Sequence, residues 1–187
     1  METEASKKLF TVDDYYKMLD AGILSEDDRV ELIEGEIIQM SSMGSRHAAV
    51  VTRLNDLLVP LLKGTALLRP QLPLRLNEFN EPEPDIVVLK PRPDFYASRH
   101  PGPADVFLVL EISDSSLKYD RDVKLPIYAA ARLPEIWIAD LLGDEVLVYR
   151  EPSGKRYKTS LSFRRGDSIS CLTLPQIQLA VDDLLGL

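Results

Sequence analysis

Two carboxylates lie inside short apolar segments of the chain. Asp85 falls near the start of the run Pro84–Leu89, and Glu111 falls near the end of the run Val109–Ser113. Each run has the length and composition of a buried β-strand. Burying an unpaired charge costs several kcal/mol, so such strands rarely contain a carboxylate without a partner. The two residues therefore predict a shared cationic partner, and we interpret that partner as a metal ion.

Lys124 is the third residue with a chemical interpretation, because it lies near the start of the helix predicted after Glu111. If this helix packs over the strand ends, its ammonium group can enter the same cleft. Carboxylates are the hard oxygen ligands that Mg²⁺ or Mn²⁺ prefers. A lysine beside them could orient or deprotonate a water molecule, or stabilise developing negative charge. Carboxylates, metal and lysine together are what phosphodiester hydrolysis requires.

Structural explanations of the same three residues stay open. Asp85 could cap backbone N–H groups where its strand begins. Glu111 and Lys124 could form an ion pair without any metal. Trp137 and Tyr128 are expected in the hydrophobic core.

Periodicity and turn residues predict the elements that position these groups. Val50, Leu54, Leu58 and Leu61 follow helical spacing. Pro126 is tolerated only in the first turn of a helix, so the helix that contains Lys124 should begin close to residue 122. The order of elements predicts an α+β (mixed α/β) fold around one central sheet flanked by helices. The predicted elements are a helix at 12–19 capped by Thr11, a hairpin at 29–40 that turns at Glu34-Gly35, a helix at 46–63, a bent or edge strand at 65–76, strands at 85–89 and 107–112, a loop at 114–120, a helix at 122–133, strands at 135–139, 146–150, 157–163 and 168–174, and a short helix within 175–187.

Composition and length limit the class of protein. The chain has 187 residues, of which 45% are hydrophobic and 28% are charged, as expected for a globular protein. Cys171 is the single cysteine, which excludes an internal disulfide or a cysteine-based zinc site. No apolar run approaches the roughly 20 residues of a membrane span, and no targeting stretch follows the charged N-terminus, so we expect a cytoplasmic protein. We predict a flexible tail at 1–9 and a single domain at 10–187, with an N-terminal helix and hairpin extension (10–44), a core (45–140) and a C-terminal β-meander (141–187).

The charge distribution is uneven along the chain. The net charge of −8 argues against indiscriminate binding of nucleic acid. Residues 1–56 contain 12 acidic and 6 basic residues, whereas residues 118–165 contain 10 basic and 7 acidic residues, so the second segment could face a polyanion. No phosphate-binding loop, dinucleotide fingerprint, serine-hydrolase elbow or H-E-x-x-H motif is present, so no nucleotide cofactor is expected.

Several ordered motifs together resemble a known family. The motifs are Glu31-Leu32-Ile33-Glu34-Gly35-Glu36, Pro82-Glu83-Pro84-Asp85-Ile86, Leu110-Glu111-Ile112-Ser113, Tyr119-Asp120-Arg121-Asp122-Val123-Lys124-Leu125 and Pro134-Glu135-Ile136-Trp137-Ile138-Ala139-Asp140. In this order they are similar to the Uma family of restriction-endonuclease-like proteins, within the PD-(D/E)XK nuclease superfamily. The resemblance implies a restriction endonuclease-like core with Asp85 and Glu111 as metal ligands. It also implies a lysine two residues after the glutamate, where this chain has Ser113, and so points to Lys124 as the relocated lysine.

Three further positions are supporting candidates. Glu36, or Glu34, lies in a hairpin that the resemblance places near the site, where an extra acid could hold a second metal or a water molecule. His47 opens the long helix and could act as a base or contact a phosphate. Gln71 could line the cleft. The alternative for each of them is an ordinary surface residue without a role in the site.

The function predicted from these observations is Mg²⁺-dependent (or Mn²⁺-dependent) hydrolysis of DNA by an Asp/Glu/Lys site. Cleavage of a duplex needs two sites, which favours a homodimer with two-fold symmetry. One alternative is a catalytically inactive binding or assembly module on the same scaffold, favoured by the acidic charge and by Ser113. Another is an acid/base hydrolase that uses Glu111 and a second carboxylate on a sugar.

Overall fold

A computed structural model of the chain describes residues 6–25 and 27–186. Residues 1–5 of the predicted tail and Leu187 of the predicted C-terminal helix lie outside this range. The elements are α1 (Val12–Asp20), β1 (Val30–Ile33), β2 (Glu36–Gln39), α2 (Ser45–Leu62), β3 (Leu67–Pro70), β4 (Ile86–Leu89), a 3₁₀ turn (Pro103–Asp105), β5 (Val106–Ser113), α3 (Leu117–Tyr119), a π-helical turn (Asp120–Lys124), α4 (Leu125–Ala130), β6 (Glu135–Asp140), β7 (Glu145–Ser153), β8 (Arg156–Arg164), β9 (Ser168–Ser170), β10 (Gln178–Ala180) and α5 (Val181–Leu185).

A six-stranded mixed sheet forms the centre of the fold, in the order β3-β4-β5-β6-β7-β8. Strands β5 and β6 are parallel, and the other neighbouring pairs are antiparallel. Strands β1 and β2 form a separate two-stranded sheet, as do β9 and β10. The predicted α+β class with one central mixed sheet is confirmed.

The two faces of the sheet bury different sets of side chains. On β5, Leu108, Leu110 and Ile112 pack against the apolar sides of α2 and α5. Val109 points to the opposite face, where it joins a second cluster that includes Tyr128 of α4. Because side chains alternate along a strand, Glu111 shares this second face.

The pairing of β4 with β5 explains why the two carboxylates meet. The strands are antiparallel, with Ile86 opposite Leu110. One residue further, the register brings Asp85 beside Glu111. Residues 26 positions apart in the sequence thus lie next to each other at one end of the central strands.

The N-terminal hairpin forms as turn chemistry predicts. Glu34 and Gly35 both have positive φ, 48° and 78°, which is typical of a type I′ turn. The hairpin joins the segment before β4 through a bridge between Leu32 and Glu81 and through the Asn80 side chain, which accepts a hydrogen bond from the Glu34 amide. This packing brings β1 to the end of the sheet where Asp85 and Glu111 lie.

The helix that carries Lys124 begins earlier than predicted. It starts at Leu117, so the predicted loop at 114–120 is too long and the predicted start near residue 122 is wrong. The sequence assigned Pro126 to the first turn, but Pro126 lies well inside the helix. The π-helical turn before Pro126, with a bond from the Leu125 amide to the Asp120 carbonyl, widens the backbone there. Proline has no backbone N–H group to donate. The helix continues past Pro126 because the regular hydrogen-bond pattern is already interrupted at this π-helical turn.

Three other predicted elements are shorter in the structure. The strand predicted at 65–76 spans only Leu67–Pro70, because Gln71 has a left-handed backbone with φ of 49°. Strands β7 and β8 extend the central sheet, whereas the strand predicted at 168–174 spans only Ser168–Ser170 and pairs with β10. The helix predicted within 175–187 is confined to α5. The division of the chain at residues 44 and 140 stays a prediction.

Within the described residues, no helix combines the length and the apolar character that crossing a membrane would need.

Candidate active site

Asp85 precedes β4 and points across the end of β5. The amide of Ile112 donates a hydrogen bond of 2.8 Å to Asp85 Oδ2. His47 Nε2 lies 2.7 Å from Asp85 Oδ1, and Gln71 Nε2 lies 3.5 Å from the same oxygen. Each carboxylate oxygen has two lone pairs, so these contacts fix the direction of the group and leave acceptor capacity facing the cleft.

Glu111 is buried beside Asp85, and three protein groups hold its carboxylate. Its Oε2 accepts a hydrogen bond of 3.2 Å from the Asp85 amide. Its Oε1 accepts the Tyr128 hydroxyl and lies 3.4 Å from Lys124 Nζ. Burial raises the pKa of Glu111 to about 8, and the nearby Lys124 ammonium opposes this rise. The site therefore favours a cation close to Glu111, because a cation offsets the energetic cost of burying its charge.

Lys124 lies between two carboxylates and is only 5% exposed. Its Nζ is 3.2 Å from Glu31 Oε2 and 3.4 Å from Glu111 Oε1. Burial alone would lower the pKa of Lys124, but the charges of Glu111 and Glu31 outweigh burial and raise its pKa above the usual value. The two carboxylates therefore favour the charged form of Lys124 and hold its ammonium group between them.

The helix presents Asp120 and Lys124 to the cleft, and Tyr128, four residues further on, contacts Glu111 from the protein interior. Asp120, Lys124 and Tyr128 lie on one face of the α3–π–α4 helix, and each is buried. Asp120 Oδ2 accepts hydrogen bonds from Ser113 Oγ at 2.7 Å and from Ser116 Oγ at 2.6 Å. Burial raises the pKa of Asp120, and Lys124 partly counteracts this effect. The helix thus supplies a cation with a carboxylate on one side and a hydroxyl on the other.

The structure brings His47 and Gln71 to the site as well. His47 is in the first turn of α2, with 16% of its side chain exposed, and it contacts Asp85 directly. Gln71 is the residue that follows β3, and its side chain approaches Asp85. Its strained left-handed backbone is the kind of feature that concentrates at functional sites.

The structure does not bring Glu36 or Glu34 to the cleft. Glu36 pairs with Lys7 at 2.7 Å and has 43% of its side chain exposed. Glu34 pairs with Lys155 at 3.3 Å and has 59% of its side chain exposed. Both belong to the turn side of the hairpin, so the expectation of an extra acid from this stretch fails at these two positions. The hairpin supplies the buried Glu31 instead.

Sequence reasoning missed Glu31, Tyr128 and Glu83. Glu31 carries the same signal that identified Asp85 and Glu111, namely a carboxylate inside an apolar strand, Val30–Ile33. Tyr128 follows Lys124 by one helical turn, but an aromatic residue in an apolar helix is usually part of the core. Glu83 lies in a segment without regular structure, and nothing in its spacing indicates the site.

These residues surround an open cleft of about 590 Å³ at one end of the sheet. Loops at 40–44 and 114–116 form two of its walls. Among the described residues of the lining, carboxylates outnumber the cationic side chains, which are Lys124 and the exposed Arg29. The carboxylates that line the cleft are Glu31, Glu83, Asp85, Glu111, Asp114 and Asp120.

The donor set fits one hard divalent ion with few protein ligands. Among residues 6–25 and 27–186, no three His, Cys, Asp or Glu side chains converge tightly enough to enclose a metal ion. Asp85 and Glu111 are adjacent, however, and both are oxygen donors in an acidic cleft. Mg²⁺ usually keeps several water ligands and binds through one or two carboxylates, so a two-carboxylate site suits it.

Comparison with solved structures identifies the class of fold. The chain is similar to a crystal structure from Anabaena variabilis ATCC 29413 that is described as "a putative nuclease belonging to DUF820". The TM-score is 0.71, the identity is 19%, and the match covers 94% of this chain and 97% of that one. The chain thus shares the fold of that structure.

Comparison with protein families then gives the family itself. The Uma2 family model, described as "Putative restriction endonuclease", matches residues 12–182. The chain belongs to this restriction endonuclease-like family, so the resemblance inferred from its motifs is confirmed. No curated protein gives a significant match to the sequence.

Proposed function

We propose that the protein is a Mg²⁺-dependent or Mn²⁺-dependent endonuclease that hydrolyses DNA phosphodiester bonds. The observation that supports this function best is the meeting of Asp85, Glu111 and Lys124 in one acidic cleft, from three separate elements. The restriction endonuclease-like family agrees with this chemistry.

In this proposal Asp85 and Glu111 hold the metal. A divalent ion held there would activate water and neutralise charge on the scissile phosphate. His47 and the Ile112 amide keep the Asp85 carboxylate turned toward the cleft. Tyr128 does the same for Glu111. Such partners of metal ligands usually support metal affinity.

Lys124 stabilises negative charge in the proposed mechanism. Its ammonium group stays protonated between two carboxylates, so it serves as a fixed electrostatic group in a site of low solvent access. We assign it to the developing charge on the phosphate. His47 contacts Asp85 at the edge of the cleft, where its imidazole could contact a phosphate or a water molecule.

DNA as substrate requires that the acidic cleft accept a polyanion. A bound divalent ion lowers the negative charge of the cleft, and Arg29 offers an exposed guanidinium in its lining. Guanidinium groups bind phosphate oxygens well. We also propose a homodimer, because a two-fold pair of clefts would match the two strands of a duplex.

A plasmid-cleavage assay with Mg²⁺ or Mn²⁺ tests the proposal. We expect Asp85→Asn and Lys124→Met each to reduce cleavage by about 100-fold or more. The matched controls are Asp122→Asn and Lys118→Met, which remove exposed charges from the same helix and should cleave normally. Metal-dependent cleavage that survives Asp85→Asn would refute the assignment of the site.

A second candidate is a nuclease-fold module that binds without cleaving. The observation in its favour is that Lys124 and Glu111 form an ion pair with each other without a metal. In addition, Ser113 stands where the related motif has lysine. This alternative predicts DNA binding by gel shift together with no cleavage under any metal. Cleavage that depends on Asp85 would exclude it.

A further inference from the structure

Glu31 is a buried carboxylate that enters the cleft from the N-terminal hairpin. It is 3% exposed, although it belongs to a short strand outside the central sheet. Its Oε2 lies 3.2 Å from Lys124 Nζ and accepts a hydrogen bond of 3.1 Å from the Glu83 amide. Its Oε1 accepts the Tyr119 hydroxyl at 3.2 Å. Each oxygen therefore has a partner from another part of the chain.

The environment of Glu31 differs from that of Asp85, the more exposed of the two proposed metal ligands. Asp85 is held by a histidine and a backbone amide at the open side of the cleft, with 15% of its side chain exposed. The Glu31 side chain is 2% exposed, and its contacts are the Glu83 amide, the Tyr119 hydroxyl and the Lys124 ammonium group. Glu31 is therefore well placed to hold the Lys124 ammonium group from the side of the hairpin.

The position of the Lys124 ammonium group depends on contacts with other side chains. A lysine side chain has four flexible methylene groups, and an ammonium group imposes no directional fork of its own. Glu111 alone would let the ammonium group swing about one carboxylate. Glu31 contacts the same nitrogen from the hairpin, so two carboxylates from separate elements fix its position.

We infer that Glu31 is a positioning residue that holds the Lys124 ammonium in the cleft, so that the N-terminal hairpin completes the active site. The kinetic part of this inference rests on the proposed nuclease function. The contact between Glu31 and Lys124 can be tested without any catalysis. The hairpin then belongs to the active site, because it contributes the Glu31 carboxylate, which neither the six-stranded sheet nor its helices provide.

Kinetics of cleavage test the positioning role. Glu31→Gln keeps the size of the side chain and removes the charge that holds Lys124. We expect kcat to fall by about 10- to 100-fold with KM for DNA unchanged, because the loss affects the transition state rather than binding. In a Lys124→Met background the same substitution should cause no further loss. An equal loss in both backgrounds would overturn the inference, since it would mean that Glu31 acts independently of Lys124.

Asp13→Asn is the matched control in the same N-terminal region. It removes a 2.8 Å ion pair with Arg75 that also ties this region to the rest of the chain, but the Arg75 and Asp13 side chains are 44% and 72% exposed. Exposed pairs contribute little, so kcat should stay at the wild-type value. A loss of kcat in Asp13→Asn as large as in Glu31→Gln would mean that any loosening of the region slows cleavage, and would overturn the specific role of Glu31.

Thermal unfolding without divalent ions tests the contact itself. In the wild type, Glu31→Gln leaves the buried ammonium with one carboxylate fewer and should lower Tm by roughly 5–15 °C. In the Lys124→Met background Glu31 is a buried charge without a cation, so the same substitution should raise Tm. A decrease of equal size in both backgrounds would overturn the inference. If the wild type cleaves no DNA but Tm shows this reversal of sign, the proposed function fails while the positioning contact stands.

Discussion

Tyr128 offers a selective way to disturb the candidate metal site without touching a ligand. Its ring is fully buried, and its hydroxyl donates a hydrogen bond to Glu111 Oε1. Replacement by Phe keeps the ring in the core and removes only this donor. The Lys124 ammonium at 3.4 Å is then the remaining partner of that oxygen.

The size of the effect follows from the charge and burial of the pair. A hydrogen bond to a charged group contributes about 1.5–3 kcal/mol. In a protein of 187 residues this corresponds to a decrease in Tm of roughly 3–12 °C. The group beside a metal ligand also sets its orientation, and its loss typically lowers metal affinity by about 10- to 100-fold. Tyr128→Phe should therefore weaken both folding and metal binding.

Isothermal titration with Mn²⁺ and differential scanning calorimetry would measure the two effects. Tyr96→Phe is the matched control, because the Tyr96 hydroxyl is also held, by the Lys90 carbonyl at 2.8 Å, but it lies away from the cleft. The control should bind Mn²⁺ as tightly as the wild type. An unchanged Mn²⁺ affinity in Tyr128→Phe would refute the assignment of Glu111 as a ligand that Tyr128 orients.

Three further substitutions test other parts of the structure. Gly35→Ala should lower Tm in thermal unfolding, because Gly35 has a φ of 78° and an added Cβ would come within 2.7 Å of Leu9 Cβ. Glu135→Ala should destabilise the fold by roughly 3–5 kcal/mol in urea denaturation, because it leaves the Arg150 guanidinium without its buried partner. Arg29→Gln should weaken DNA binding and reduce the slope of log K against log salt by about 0.9, as expected for the loss of one phosphate contact. An unchanged Tm in Gly35→Ala, an unchanged free energy of unfolding in Glu135→Ala or an unchanged salt slope in Arg29→Gln would contradict these contacts.

The fold was predictable where short-range patterns determine it. The turn at Glu34-Gly35 has positive φ at both residues, and the glycine in the short link between two apolar runs indicates such a turn. The α2 helix follows directly from its apolar spacing. The helix that carries Lys124 was placed incorrectly because Pro126 is normally a marker of a helix start. A π-helical turn accommodates it here, and such a turn depends on tertiary packing that the sequence does not display.

The site was predictable in part, for a related reason. Asp85 and Glu111 stand out as single charges in apolar strands, and the antiparallel register brings them together. The resemblance places the hairpin near the site and so favours Glu36 or Glu34, but it gives no role to Glu31. Which carboxylate of a hairpin faces inward depends on how the hairpin docks. This docking is set by the long-range bridge between Leu32 and Glu81.

The serine at position 113 is explained by the cleft as a whole. Ser113 is fully buried, and its hydroxyl donates to Asp120, one helical turn before Lys124. A lysine at 113 would have to place its ammonium group in the space that Asp120 and Lys124 share. The helix instead supplies the positive charge, and the strand supplies a small donor that orients Asp120 beside it. In the proposed site the positive charge next to Glu111 therefore comes from the helix and not from the strand.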